Sequence, residues 1–435
     1  MTTRTGLRAL GTVALVAGLS LALPAASKVS TATVNAERVG MDTGRLERIT
    51  AHMQRAYLET GKFSGAINLV ARDGQIVYFE PLGVRGMEDP QPMTTDALFR
   101  IYSMTKPITA VAAMMLYEEG YFQLSDPITK WLPELKDLKV QTDDGLVNLD
   151  RPITMRHLLT HTAGFSYGFF PQADPIDKQY VEAELWQSDN LDAFVEKIAQ
   201  LPLKFQPGTQ WHYSIAVDLT GLIVERISGV RFDEFLKTRI FDPLGMVDTF
   251  FDVPEEKQAR LLPNHVWNAK EDKQMPFERD VLARYQDVTL FSGGGGLVSS
   301  TLDYFRFCEM LRRGGELDGV RLLSPQTVRF MTMDHLPATA KTAGQGENPS
   351  TSFDGTYRGA GFGLGFGVVT DVSGTRTMGS LGDYSWGGAA GTIFWIDPVE
   401  ELIVIGMIQQ MQSPHPYRSE LKTLTHQAIV EPKQD

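Results

Sequence analysis

Apolar and polar positions change their spacing along the chain, and the changes divide it into three zones. Between Thr43 and Leu58, Leu46, Ile49, Met53 and Tyr57 recur every three or four residues, the spacing of one helix face. Ala66–Leu69 and Ile76–Phe79 are short β-like runs around Arg72-Asp73-Gly74, which reads as a hairpin. The same style returns near the C-terminus. Gly365–Thr370, Thr375–Met378, Thr392–Ile396 and Leu402–Met407 read as strands, with Asp397-Pro398 as the turn between the last two. Residues Pro416 to Val430 then read as a helix.

From about residue 104 to 310 the spacing is mainly helical and punctuated by Pro. Ile108, Val111, Ala112, Met115 and Leu116 mark an amphipathic helix there. Ala338 to Tyr357 is rich in Gly, Ser, Thr and Asn and reads as a surface loop. The pattern predicts an α+β fold: an antiparallel sheet built from both chain ends, flanked by helices, with a mainly helical lobe inserted. The boundaries are a single domain over 40–431, its α/β lobe at about 40–102 and 290–431 and its helical lobe at about 103–289. At 435 residues with 43% hydrophobic content, the chain is long enough for a large core.

The first 26 residues stand apart. Arg4 and Arg8 precede an apolar stretch, Ala9 to Leu23, followed by Pro24, Ala25 and Ala26. A basic flank, a short apolar run and small residues are the layout of a cleaved export signal, which implies a periplasmic or secreted protein. An uncleaved anchor is the alternative, but the run is short for a bilayer span. With 53 acidic against 41 basic residues the net charge is −12, and no Lys/Arg run carries interleaved aromatics, so nucleic acid is a poor partner. Cys308, the only cysteine, lies among Tyr304, Phe307 and Leu311 and reads as core packing. No spacing of His, Cys or carboxylates suggests a metal, and no glycine motif suggests a nucleotide cofactor.

Candidate chemistry begins at Ser103-Met104-Thr105-Lys106, at the start of the helix marked by Ile108 to Leu116. Residues three apart share a helix face, so the Lys106 amine can reach the Ser103 hydroxyl. A serine is a weak nucleophile until a neighbouring base takes its proton. For Lys106 to be that base, burial or a nearby cation must lower its pKa. Ser419-Glu420-Leu421-Lys422 repeats the spacing, but on a polar C-terminal helix where it reads as a solvated face. Gly164-Phe165-Ser166-Tyr167-Gly168 matches the nucleophile-elbow pattern of α/β-hydrolases, with His161 as its possible base. It leads into Phe169, Phe170 and Pro171 rather than a helix, so it reads as a loop and His161 as structural.

The segment Phe99 to Lys106 resembles the nucleophile box of the penicillin-recognising serine hydrolases, and within them the class C β-lactamase-like family VIII carboxylesterases. Four more segments match in order: Leu158 to Gly164; Gln206-Pro207-Gly208 with Trp211-His212-Tyr213-Ser214; Gly293 to Ser300 with Asp303; and Trp386-Gly387-Gly388-Ala389. The resemblance implies a β-lactamase/transpeptidase-like fold and a catalytic trio of Ser103, Lys106 and Tyr213, in which either Lys106 or Tyr213 takes the serine proton. It also implies an oxyanion hole from the N–H groups of Ser103 and Ala389.

Departures from the pattern refine the expected substrate. Ile215 stands where lactam-hydrolysing members keep Asn, and Trp386 and Gly387 where they keep Lys and Thr. Each lost charge-assisted contact costs about 1.5–3 kcal/mol. Trp386, Gly387, Gly388 and Ile215 are therefore expected to form an apolar substrate-binding surface for a small-molecule acyl ester. Acyl transfer, amide cleavage or weak β-lactamase activity are the alternatives on the same site, and a non-enzymatic binding module is a further one.

Overall fold

The computed structural model describes residues 1–2, 29–169, 171–277, 285–338, 340 and 359–433. All but two residues of the segment read as an export signal, and all but two of the 338–357 loop, lie outside them. Helix α1 (Thr43–Met53) starts on Asp42, whose carboxylate accepts the Arg45 N–H at 2.7 Å, and runs on through a π-helical turn, Gln54–Leu58. The hairpin follows as β1 (Gly65–Arg72) and β2 (Gln75–Gly83), turning through Asp73 and Gly74 at positive φ. The C-terminal strands are β5 (Ala360–Phe362), β6 (Gly367–Val369), β7 (Tyr384–Gly387), β8 (Ile393–Asp397) and β9 (Leu402–Met407), ahead of helix α5 (Tyr417–His426).

These strands form one seven-stranded antiparallel sheet in the order β5-β6-β7-β8-β9-β1-β2. The two chain ends meet where β1 pairs β9, from Ile67 opposite Met407 to Arg72 opposite Leu402. Successive side chains of a strand point to opposite faces, and both faces here are covered. Ile67, Leu69 and Ala71 join Ile403, Ile405 and Met407 in a core with Tyr304, Phe307 and Met310 of α4 (Thr301–Arg312). Ala66 and Val70 face the other way, into a core with Leu46, Ile49 and Met53 of α1 and Tyr417 and Leu421 of α5. Cys308 is buried on α4.

Three local expectations are corrected. Thr375–Met378 is not a strand: Val372–Thr375 makes a short helical turn and Arg376 adopts a left-handed φ of 58°, which no strand can continue through. Two hairpins, Lys139–Thr142 with Gly145–Asn148 and the half-buried His265–Asn268 with Lys273–Pro276, interrupt the zone read as helical. Helix α2 (Thr105–Glu118) is buried on every side from Thr105 to Leu116, not along one stripe. It lies centrally against α3 (Ala216–Ser228), so its apolar stripe is not its only buried face. Each fully buried Ile, Val, Leu or Met there contributes about 1.5–3 kcal/mol.

Candidate active site

Strand β3 (Leu98–Arg100) delivers the nucleophile candidate. It pairs with β4 (Val298–Ser300), and the chain then turns through a 3₁₀ segment, Tyr102–Met104, before α2 begins at Thr105. Ser103 therefore sits just before the helix, rather than within its first regular turn, and it is partly exposed. Tyr102 holds a φ of +43°, costly for a residue with a Cβ. Several contacts hold it there. Tyr102 accepts a hydrogen bond on its hydroxyl from Asn264 Nδ2 at 2.6 Å, and the Tyr304 hydroxyl donates to Met104 O at 2.9 Å. The Ile101 N–H donates to Leu297 O at 3.1 Å.

Lys106 is 1% exposed. Its Nζ donates to Gly294 O at 2.7 Å, to the Tyr167 hydroxyl at 2.8 Å and to Ser103 Oγ at 3.4 Å. It also stands 4.4 Å from the centroid of the Tyr213 ring. Burial lowers its pKa to about 7, against the opposing pull of the Asp218 carboxylate. A large share of the amine is then neutral near neutral pH, with a lone pair available.

Two residues that the sequence did not single out complete this cluster. The Tyr167 hydroxyl donates to Asp218 Oδ2 at 3.2 Å, and burial together with Asp218 raises its pKa well above 10, so it remains a phenol. Asp218 Oδ1 accepts from Ser292 Oγ at 2.5 Å and from the Gly294 N–H at 2.9 Å, while burial raises its pKa. Gly294 must be glycine: a Cβ there would stand 2.3 Å from Asp218 Oδ2 and 2.6 Å from the Tyr167 hydroxyl. One sequence signal could have found Asp218, a lone carboxylate in the apolar helical run Val217 to Val224.

Tyr213 is 3% exposed and ringed by aromatic side chains. Its centroid lies 4.8 Å from His161, 5.3 Å from Tyr167 and 5.4 Å from Trp386, whose Nε1 donates to the Tyr213 hydroxyl at 3.4 Å. Trp386 in turn packs edge-on against Phe362. His161 is fully buried, and its Nδ1 accepts the Ser214 N–H at 3.3 Å. Burial and Lys106 push its pKa well below 6.5, so it stays neutral and braces the segment carrying Tyr213.

The remaining sequence candidates separate cleanly. Ser166 is fully buried and donates to Asp177 Oδ1 at 2.5 Å, with His212 Nε2 at 3.4 Å. A hydroxyl without exposed surface is no nucleophile for an outside substrate; it anchors the loop that ends in Tyr167. Ser419 donates to Pro416 O and Lys422 to Asp383, so the second Ser-x-x-Lys pair is spent on structure. Ile215 is fully buried at the start of α3 and has no exposed surface to offer a substrate, which removes it from the expected binding surface. Gly388 lies against the turn that carries Ser103, since a Cβ on it would come within 2.4 Å of Ile101 O. Ala389 follows at the end of β7, partly exposed.

Comparison with known proteins identifies the family. A Beta-lactamase family model matches residues 49–427. Protein Rv1367c of Mycobacterium tuberculosis is 38% identical over 82% of this chain and 88% of its own length. Lovastatin esterase of Penicillium rubens is 32% identical over 82% of this chain and 91% of its own. Among solved structures, EstCE1, a hydrolase with promiscuous acyltransferase activity, superposes with a TM-score of 0.75 at 26% identity, covering 89% of this chain and 99% of that one. The segments carrying Ser103, Lys106, Tyr213 and Trp386 all fall inside the matched span, and the chain belongs to the beta-lactamase family, on its carboxylesterase-like side.

Proposed function

We propose that this chain is a serine hydrolase of small-molecule carboxylic esters, working through an acyl-enzyme on Ser103. The observation that carries the reading is the buried Lys106 amine, with a pKa near 7 and 3.4 Å from Ser103 Oγ. Lys106 takes the serine proton as Oγ attacks the ester carbonyl, and Tyr213 passes a proton to the leaving alkoxide. The N–H groups of Ser103 and Ala389 receive the carbonyl oxygen as its charge develops, a contribution of about 2.7–4 kcal/mol per donor. Water then releases the acid by the same steps in reverse.

The aromatic packing of Trp386 and Phe362 around Tyr213 keeps the site apolar, which favours an uncharged acyl group, and Gly387 and Trp386 supply no cation to hold the carboxylate of a β-lactam. Esterase relatives support the reading, and EstCE1 gives specific reason for a second outcome, in which an alcohol replaces water at the deacylation step. We further infer export from Arg4, Arg8 and the apolar Ala9–Leu23 run. No helix among the described residues is long and apolar enough to cross a membrane.

The direct test is fluorophosphonate labelling followed by peptide mass spectrometry. Label on Ser103, and none on the Ser103→Ala protein, is the expected result. Label elsewhere, or full p-nitrophenyl butyrate hydrolysis by Ser103→Ala, ends the proposal.

A further inference from the structure

The peptide unit between Gly388 and Ala389 has two ends, and the protein grips one of them with a cation. Arg418 of α5 sends its Nη2 to Gly388 O at 2.6 Å and to Thr392 O at 3.1 Å. Gly388 O also accepts the Gly391 N–H at 3.0 Å, and Thr392 O accepts the Gly388 N–H at 2.8 Å. The guanidinium thus ties both ends of the turn joining β7 to β8.

Three further observations fit a built arrangement. Gly387 leaves room for the guanidinium, since a Cβ there would stand 2.8 Å from Arg418 Cζ. Helix α5 is pinned on either side of Arg418. The Tyr417 hydroxyl donates to Asn68 Oδ1 of β1 at 2.6 Å, and Lys422 donates to Asp383 Oδ2 at 2.6 Å. The third concerns direction. The described chain has no cis peptide bond, so the Ala389 N–H points away from the carbonyl that faces Arg418. The turn carrying Ser103 packs against Gly388 from Ile101 O, as the 2.4 Å approach of a Cβ there shows.

We propose that Arg418 is a positioning residue of the oxyanion hole, acting through the Gly388–Ala389 peptide. A cation on the carbonyl oxygen draws electron density through the amide and makes the N–H at its other end a stronger donor. It also fixes the direction of that N–H before the substrate arrives. This inference rests on the ester-hydrolase reading above, in which Ala389 N–H receives the oxyanion.

The test compares Arg418→Met, Arg418→Lys and Arg418→Gln in the full chain, with Arg418→Gln serving if Arg418→Met does not fold. For Arg418→Met, kcat on p-nitrophenyl butyrate falls roughly three- to tenfold. The inhibition constant of phenylboronic acid, whose tetrahedral adduct places an oxygen in the oxyanion hole, rises by the same factor while KM is unchanged. Arg418→Lys restores most of both, and Arg418→Gln falls between. A folded Arg418→Met or Arg418→Gln protein with unchanged kcat and boronate affinity overturns the inference. So does a loss confined to KM, or an Arg418→Lys protein as impaired as Arg418→Met. Fluorophosphonate labelling of the unaltered protein separates the two readings: without label on Ser103 the hydrolase reading itself fails, whereas normal labelling with indifferent Arg418 variants sinks this inference alone.

Discussion

Tyr167 accepts a 2.8 Å hydrogen bond from Lys106 Nζ, a shorter contact than the 3.4 Å separating that nitrogen from Ser103 Oγ. The resting amine is therefore held by a phenol and by Gly294 O, and it must turn its lone pair to the serine for reaction. Asp218 holds Tyr167 in place from behind at 3.2 Å. Lys106, Tyr167 and Asp218 form one hydrogen-bonded chain, so a change in any of them reaches the serine.

Tyr167→Phe removes the acceptor for Lys106 and leaves the amine with one protein partner fewer. We expect kcat to fall about ten- to hundredfold, in the range of a lost buried hydrogen bond to a charged group. Steady-state kinetics on p-nitrophenyl butyrate, with Tyr213→Phe alongside, measure it. Tyr213→Phe is expected to lose at least as much, and an unaffected Tyr167→Phe protein would make that hydroxyl a spectator.

The pH profile follows from Lys106. Its protonated form cannot take the serine proton, so kcat/KM is low in acid, rises as pH passes through about 7 and levels off above it. Asp218 pulls the Lys106 pKa upward, so Asp218→Asn shifts the acid limb to lower pH. A limb that stays put, or moves upward, in folded Asp218→Asn protein contradicts the assignment of Lys106 as base.

Three serines offer a direct discrimination. Ser103→Ala is expected to lose at least about a thousandfold in kcat. Ser166→Ala leaves most activity, because its hydroxyl is buried against Asp177, although the loop it anchors ends in Tyr167. Ser419→Ala is expected to behave as the unaltered protein, since its hydroxyl caps Pro416 O at 2.9 Å.

Gly294→Ala places a methyl inside the hydrogen-bonded cluster. Its Cβ would collide with both Asp218 Oδ2 and the Tyr167 hydroxyl. We expect about 1–3 kcal/mol of destabilisation from overpacking, seen as a lower thermal midpoint, together with loss of activity. Gly294 has no positive φ, so the cost is steric rather than one of backbone conformation.

Added alcohol decides between water and a second acceptor. If deacylation by alcohol competes, product analysis with p-nitrophenyl butyrate and rising methanol shows methyl butyrate growing while p-nitrophenol release holds or quickens. Butyrate as the sole product at every methanol concentration restricts the chain to hydrolysis.

Much of this protein was legible as text. Strand alternation and helix periodicity are local, so the hairpin 65–83, the strand Leu402–Met407, the first helix and the closing helix all lie close to where the spacing puts them. The Ser103–Lys106 pair is also local, one helical turn apart. Tertiary structure alone decided the rest. Tyr167, Asp218 and Gly294 lie 61, 112 and 188 residues from Lys106 and meet it only because α3 and the glycine run pack on a helix buried on every face. The same packing sealed Ser166 and Ile215 inside and left Ser103 partly open. Burial also decides whether a lysine is a cation or a base, and burial belongs to the folded chain rather than to any stretch of its sequence.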